Sequence, residues 1–325
     1  MLRFGLIGAA GFVAPRHMAA IKDTGNTLIV AEDPNDSVGV IDSYFPEAKF
    51  FTEFERFDRY VDKLRRSGSP LDCVSVCSPN YLHDAHVRFG LRSGADVICE
   101  KPLVLNPWNI DGLADIERES GKRINSILQL RLHPSIVELK KKIDADNERV
   151  HDVDLTYITS RGSWYHSSWK GNEAKSGGVA TNIGVHFFDM LVHVFGRPTR
   201  TEVHLRDSNR VGGYLELEKA RVRWFMSVAV EDLPEGLARD QRTFRSISVN
   251  SDEFEFSGGF TDLHTESYRK IIAGNGFTLQ DSRAAIELVS GIRSCELLPR
   301  RGDVHPFAQR YLQKSIGYDR QSRDL

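Results

Sequence analysis

From the start to about residue 122 and just beyond it, five short runs that are apolar almost throughout alternate with amphipathic stretches: LRFGLIG, TLIVAED, DCVSVCSP, ADVICEKP and, from Arg123, RINSILQL. A strand with apolar side chains on both faces has to be covered on both. Intervening helices supply that cover, so the rhythm dictates a parallel sheet with helices packed against it. Residues 15–23 and 83–92 carry helical patterns and are closed by Gly25 and Gly94, where a helix C-terminus takes a positive φ.

At 325 residues the chain exceeds what one hydrophobic core serves well, and two domains are expected, 1–122 and 123–325. After Gly196 the pattern turns to alternation at 201–205, 214–217, 222–226, 247–249 and 254–256, separated by Gly212-Gly213, Lys219-Ala220 and Ser251-Asp252. These read as antiparallel strands, so the second domain is expected to be α+β around a large, open, mostly antiparallel sheet. On strand 222–226, Val222, Trp224 and Met226 would face one side and Arg221, Arg223 and Phe225 the other, leaving a partly apolar outer face for a second subunit. A closing helix is expected over 281–298, and a frayed charged tail over 318–324.

Forty-three Lys plus Arg against forty-five Asp plus Glu give a formal charge of −2, so no global field recruits nucleic acid or an anionic membrane. No apolar run approaches the roughly 20 residues of a membrane span. The N-terminal MLRFGLIGAAGF reads as a strand entering a glycine turn rather than a secretion signal. Cys73, Cys77, Cys99 and Cys295 form no Cys-x-x-Cys pair, and a cytoplasmic location with reduced thiols is expected.

The first strand runs into Gly8-Ala9-Ala10-Gly11-Phe12-Val13-Ala14, where small residues let backbone amides approach a pyrophosphate at a helix N-terminus. The second strand ends in Ala31-Glu32-Asp33-Pro34, about 25 residues after Gly8. A carboxylate there accepts adenosine ribose hydroxyls and repels the extra phosphate of NADP, so Asp33 points to NAD; a helix-capping Asp is the structural alternative. Two further strand ends carry Ser78-Pro79-Asn80-Tyr81-Leu82-His83 and Glu100-Lys101-Pro102, at the sheet edge where open α/β sheets bind ligands. A salt bridge between Lys101 and Glu100 is the alternative to a Lys101 amine presented to that crevice.

In the second domain, Val179, Ile183, Phe187, Leu191 and Val194 recur at steps of three and four, predicting one amphipathic helix between Ser176 and Gly196. Asn182, His186, Asp189 and His193 then share one face. Upstream, residues 161–175 hold Arg161, Lys170, Lys175 and His166 against Glu173 alone, with Trp164, Tyr165 and Trp169 interleaved. Cations suit phosphates and carboxylates and aromatic walls suit a base, although packing within the domain or between subunits explains the same composition.

The glycine turn, Ser-Pro-Asn-x-x-His, Glu-Lys-Pro, Arg131-x-x-Pro134 and Asn182-Ile-Gly-Val-His186-Phe-Phe-Asp189 together resemble the glucose-fructose oxidoreductase and inositol dehydrogenase (Gfo/Idh/MocA) family over nearly the whole chain. The resemblance implies an N-terminal Rossmann domain, a C-terminal domain whose sheet builds the oligomer interface, and Lys101 and His186 as catalytic residues. The glycine turn carries one residue more than the usual family form, and Asn182 stands where many members have an aspartate. Both departures, with GAAGFVAPRHMAAIKDTGN, Arg161-Gly-Ser-Trp-Tyr165, Ser168-Trp-Lys-Gly171 and the segment 175–186, resemble the UDP-N-acetylglucosaminuronate 3-dehydrogenase branch of bacterial surface polysaccharide (O-antigen) synthesis. That likeness implies NAD as cofactor, a UDP-sugar acid as substrate, 2-oxoglutarate as a recycling oxidant in some members, and a homotetramer. Cofactor contacts are then expected from Gly8, Ala10, Gly11, Phe12, Val13, Asp33, Ser78, Asn80, His83, Glu100, Lys101 and Gln129. Substrate contacts are expected from Lys101, Arg131, Arg161, Tyr165, Trp169, Lys170, Asn182 and His186.

Oxidising a secondary alcohol requires a base near neutrality at the hydroxyl, which suits His186, and an ammonium beside the developing alkoxide, which suits Lys101. The exchanged assignment, with a desolvated lysine as base, fits the residue types equally. Three rivals carry less. Metal catalysis lacks a third ligand at recognisable spacing beside His83 and His86 or His186 and Asp189, and no metal is expected. A glycosidase using NAD transiently shares the fold, and a non-catalytic NAD-binding regulator would leave Lys101 and His186 without a task.

Overall fold

The computed structural model describes residues 1–325 apart from 147–148, 239, 255–261, 299–302 and 313–325. The chain divides into two compact units, Met1–His133 with Phe260–Glu287, and Pro134–Gly259 with Leu288–Leu325.

In the first unit the chain alternates β1 (Arg3–Ile7), α1 (Ala14–Asp23), β2 (Thr27–Glu32), β3 (Lys49–Phe51), α2 (Phe54–Arg66), β4 (Cys73–Val76), α3 (His83–Arg92), β5 (Asp96–Cys99), α4 (Pro107–Ser120) and β6 (Ile124–Ser126). The strands form one parallel sheet in the order β3-β2-β1-β4-β5-β6. Strand order therefore reverses direction at β1, and the C-terminal ends of β1 and β4 flank that switch point, where open α/β sheets take their ligands. Phe4, Leu6 and Ile7 of β1 and Met18 and Ile21 of α1 are fully buried. Each contributes about 1.5–3 kcal/mol relative to an exposed side chain.

The expected helices at 15–23 and 83–92 are present, and Gly25 and Gly94 have φ of +73° and +82°. A division at residue 122 would separate β6 from its partner β5, whereas Val97–Cys99 pairs with Ile124–Ser126.

The second unit carries α5 (Pro134–Ala145), β7 (His151–Thr159), the short helices α6 (Trp164–Ser167), α7 (Glu173–Ser176) and α8 (Gly178–Asn182), then α9 (Val185–Phe195), β8 (Pro198–Arg206), β9 (Arg210–Leu217), β10 (Ala220–Ser227), β11 (Thr243–Val249) and β12 (Asp252–Glu253). Its sheet runs β12-β11-β7-β10-β9-β8, antiparallel except for the parallel pair β7–β10. Mostly antiparallel pairing is as expected, but its centre, β7, is a strand that the alternation did not single out.

Several local expectations are corrected. Gly212 and Gly213 are not a turn: both lie inside β9, and Gly213 pairs with Val203 and Trp224. The turn before β9 is made by Asp207, whose Oδ1 accepts the N–H of Asn209 at 2.7 Å and of Arg210 at 2.8 Å. Phe225 is fully buried rather than on an open face, because the chain's own residues 304–311 cover it. Phe307 stacks on it at 5.5 Å, and Ala308 packs beside it and Ile158. Most of the expected strand 254–256 and the whole tail 318–324 fall outside the described residues.

Two last helices, α10 (Leu263–Ile272) and α11 (Leu279–Ser294), follow. All of α10 and α11 up to Glu287 belong to the first unit, a return that the sequence pattern did not announce. The end of α11 falls at Ser294, short of the expected 298, where the Leu298 N–H instead donates to the Val203 carbonyl at 2.8 Å. Among the described residues no single helix is long and apolar enough to cross a membrane.

Candidate active site

In the first unit the glycine turn leaves β1 with Gly8 at φ +90°. A Cβ there would lie 2.5 Å from the Ser78 nitrogen and 2.6 Å from the Cys77 carbonyl carbon, so only glycine lets the turn pass the end of β4. Gly8 and Ala9 donate their N–H groups to the Glu32 carbonyl at 2.8 and 3.0 Å, and Gly11 donates to Gly8 at 3.0 Å. Among the described residues, the amides of Phe12 and Val13 find no backbone acceptor. They lie at the head of α1, where orphan N–H groups and the helix dipole favour an anion, so the turn fits a pyrophosphate. The Phe12 side chain is 84% exposed.

Asp33 is buried and already engaged: Oδ2 accepts the Ala10 N–H at 2.9 Å, and Oδ1 accepts the N–H of Asn35 at 2.8 Å. The carboxylate thus clamps the glycine turn to the end of β2. Beside it, burial and then the Asp33 and Glu55 charges push the Glu32 carboxyl up to about 7.

At the end of β4, Ser78 Oγ lies 2.8 Å from His86 Nδ1, and the His86 ring stacks on Phe54 at 5.0 Å. Burial pulls His86 down to about 4, so at neutral pH it is an uncharged partner. Asn80 is buried. His83 is sealed in as well, with Nδ1 2.7 Å from the Pro102 carbonyl and Nε2 2.8 Å from the Ser78 carbonyl. Both ring nitrogens are taken by backbone, which corrects the expectation of a direct cofactor contact: His83 ties together the segments following β4 and β5. Gln129 is half-buried just after β6.

Glu100 is tied into the interior of the first unit. Its Oε1 lies 3.0 Å from His17 Nε2 and 2.8 Å from His264 Nε2, and its Oε2 accepts the Lys101 backbone N–H at 3.2 Å. Glu100 is buried, so direct cofactor contact by its carboxylate is corrected to an internal role. Burial opposes its ionisation, yet the two imidazole hydrogen bonds outweigh burial and hold its pKa well below the ordinary carboxylate range. His17 Nδ1 continues to Tyr268 OH at 2.7 Å, and that hydroxyl to Ser75 Oγ at 2.6 Å. Sequence reasoning missed His17, His264, Tyr268 and Ser75. His17 left one signal, a polar residue beside Met18, Ala20 and Ile21 on the buried side of α1. Lys101 itself is half-exposed, next to the cis Lys101–Pro102 bond.

Arg131 is corrected too. Only 8% exposed, it donates from Nη2 to the Asp281 carbonyl at 2.7 Å and from Nη1 to Asp281 Oδ1 at 3.3 Å, with its guanidinium 5.2 Å above the Phe277 ring. It fastens the start of α11 inside the first unit instead of presenting a free cation to substrate.

In the second unit the expected single helix is two. Gly184 lies between α8 and α9, and the stretch Glu173–Asn182 meets α9 at a bend of 46°. A Cβ on Gly184 would meet the Ala180 carbonyl at 2.5 Å and Met226 Sδ at 2.6 Å. Asn182 consequently ends α8, while His186 lies in the first turn of α9 and shares that helix with Asp189 and His193; the face proposed for all four is broken between the first two. His186 is half-buried and Asp189 buried. Asn182 Nδ2 donates to Tyr165 OH at 3.1 Å, and Tyr165 is 2% exposed. Lys170 is held between two indoles, 5.3 Å from Trp164 and 5.1 Å from Trp169, and burial, then Arg161, lowers its pKa. Arg161 is exposed and anchored by its own N–H on the Val228 carbonyl at 2.9 Å. Trp164, Tyr165, His166, Trp169 and Lys170 therefore come together within this unit.

The model of the oxidoreductase family described as having an NAD-binding Rossmann fold (Gfo/Idh/MocA) matches residues 2–127, and that of the family's C-terminal alpha/beta domain matches residues 140–233. The chain belongs to the Gfo/Idh/MocA oxidoreductase family. This member is similar to the WlbA (WbpB) dehydrogenase of Thermus thermophilus, at 50% identity and a TM-score of 0.91 over 94% of this chain and 100% of that one. That protein was solved in complex with NAD and alpha-ketoglutarate, and with NAD and UDP-GlcNAcA. WlbA of Bordetella pertussis, at 18% identity and a TM-score of 0.72 over 90% of this chain and 94% of that one, shares the fold. Among curated relatives, D-glucoside 3-dehydrogenase of Escherichia coli K12 is 27% identical over 217 residues, 65% of this chain and 59% of that protein. The chain spans 34% and 55% of the length of the next two, putative oxidoreductase YteT of Bacillus subtilis and inositol 2-dehydrogenase of Rhizobium meliloti. This family member is thus an oxidoreductase with an NAD-binding Rossmann unit.

Proposed function

We propose that this oxidoreductase converts the 3-hydroxyl of a UDP-N-acetylglucosaminuronic acid to the 3-keto sugar, in bacterial surface polysaccharide (O-antigen) synthesis. One observation carries the assignment: half of all aligned residues, over 94% of the chain, are identical to those of an enzyme crystallised with NAD and UDP-GlcNAcA. NAD, held at the Gly8–Val13 turn, supplies the hydride acceptor. The chain's own residues do the rest. His186 and Lys101 act on one alcohol oxygen, the base taking its proton while the other group stabilises the alkoxide as charge develops. Arg161 and Lys170 meet the anionic groups of the sugar nucleotide, and Trp169 gives a flat wall; Tyr165 and Asn182, which satisfy each other, shape the floor behind them. A homotetramer in the cytoplasm is part of the same proposal. Recycling of the reduced cofactor by 2-oxoglutarate is supported by the alpha-ketoglutarate complex of the Thermus protein.

Absorbance at the NADH band after mixing enzyme, NAD and UDP-N-acetylglucosaminuronate tests it. Reduction is expected, with turnover beyond one equivalent per site when 2-oxoglutarate is present. No reduction and no turnover with this sugar would remove the substrate assignment and leave the family intact.

A further inference from the structure

Three buried histidines, each from a different helix of the first unit, close on the two residues that flank Lys101. His17 of α1 and His264 of α10 both meet Glu100 Oε1, at 3.0 and 2.8 Å. His83 of α3 meets the Pro102 carbonyl at 2.7 Å. Glu100 Oε2 completes the set by accepting the Lys101 N–H at 3.2 Å.

The polarity of the Glu100 network follows from its acceptors. An ionised carboxylate only accepts, so His17 and His264 each donate from Nε2. His17 Nδ1, left with a lone pair, then accepts from Tyr268 OH at 2.7 Å, and Tyr268 accepts from Ser75 Oγ at 2.6 Å. With His17 neutral, both of its ring nitrogens, the Tyr268 hydroxyl and both Glu100 oxygens on this path are paired, in keeping with the burial that lowers the His17 pKa. A buried network paired in this way defines one geometry, since any displacement leaves a buried group unpaired. The same His17, Glu100 and His264 atoms lie within 4.8 Å of one another and invite a metal reading. Ligand atoms around a tetrahedral zinc stand about 3.3 Å apart, however, and the separations of 3.0 and 2.8 Å are those of hydrogen bonds.

We infer that His17, His83 and His264 are positioning residues, which hold the Glu100–Pro102 turn and through it set Lys101 for reaction. This inference rests on the proposed role of Lys101 at the substrate alcohol. None of the three histidines is a catalytic residue; they act through Glu100 and the backbone on either side of the lysine.

Two amide variants of the full-length protein test it, His264→Gln, whose amide reaches the Nε2 position, and His264→Asn, whose amide is one methylene too short. Both keep a polar side chain at the site. The readouts are hydrogen exchange at the Lys101 N–H, followed by NMR with NAD bound, and the separate kcat and KM values with NAD and UDP-N-acetylglucosaminuronate. Expected for Asn is Lys101 exchange at least tenfold faster with β1 and β4 amides unchanged, kcat at least thirtyfold lower and KM for NAD within twofold; expected for Gln is recovery to within threefold of the parent. Identical behaviour of the two variants, unchanged Lys101 exchange, or faster exchange with unchanged kcat would overturn the inference. So would one equivalent of divalent metal in the purified protein that the Asn variant lacks. The exchange readout needs no sugar, so a parent enzyme inactive on this nucleotide sugar would refute the proposed substrate without deciding the fate of the histidine network.

Discussion

Glu32 and Asp33 stand side by side at the end of β2 and have been given different tasks. Asp33 uses its carboxylate to hold the Ala10 and Asn35 amides. Glu32 holds the turn through its backbone carbonyl, and its side chain is buried at 5% exposure with its pKa raised from 4.5 to about 7 by burial, then by Asp33 and Glu55. The sign of the linkage is set by that increase. Below pH 4.5 both folded and unfolded chains keep the proton; as pH rises toward 7 the unfolded chain loses it first, so folding stability falls across this window. Urea midpoints measured from pH 4.5 to 8 should therefore decline with pH more steeply in the parent than in Glu32→Gln, the two curves diverging up to about pH 7 and running parallel above it. Parallel curves throughout would mean that Glu32 ionises normally in the folded protein. At this scale the residues in strand-end motifs were legible because motif position predicts the sheet edge, but their partners were not. Glu100 and His83 could be placed near the crevice from sequence, whereas their sealing by His17, His264 and the Ser78 and Pro102 carbonyls depends on contacts up to 164 residues apart.

Helices α1 and α3 were legible because glycine stops and apolar periodicity agree there. The segment 176–196 was not, since the apolar spacing of Val179, Ile183, Phe187 and Leu191 continues through a break that is purely steric. Gly184 has an ordinary helical backbone, and what forbids a side chain is the Ala180 carbonyl at 2.5 Å, Met226 Sδ at 2.6 Å and Phe188 Cε2 at 2.9 Å. Gly184→Ala is expected to cost about 2 kcal/mol of stability as overpacking, read as a lower urea midpoint, and to displace the first turn of α9, which bears His186. A variant as stable as the parent would show that β10 and α9 yield easily around the added methyl. In β9 the failure was of another kind: adjacent glycines resemble a turn, but here they are ladder positions and an Asp207 side chain makes the turn.

For the whole molecule, alternating apolar runs were enough to foresee the parallel sheet, and strand alternation enough to foresee the second, mostly antiparallel one. The return of α10 and most of α11 to the first unit was hidden, because an amphipathic helix records that it has a buried face and not which core accepts it. That return brings Tyr268 and His264 beneath the end of β5 and so completes the setting of Lys101. The basic aromatic segment of the second unit was legible in composition and is confirmed as a cluster, with Lys170 between Trp164 and Trp169. The central claim is hydride removal from C3 of a UDP-sugar acid by bound NAD. Its most direct test is a single-turnover reaction with substrate deuterated at C3 alone, followed by mass analysis of the reduced nicotinamide. Deuterium carried into NADH, with a 3-keto sugar nucleotide as the other product, is the predicted result; unlabelled NADH, or label retained in an oxidised sugar, would contradict it.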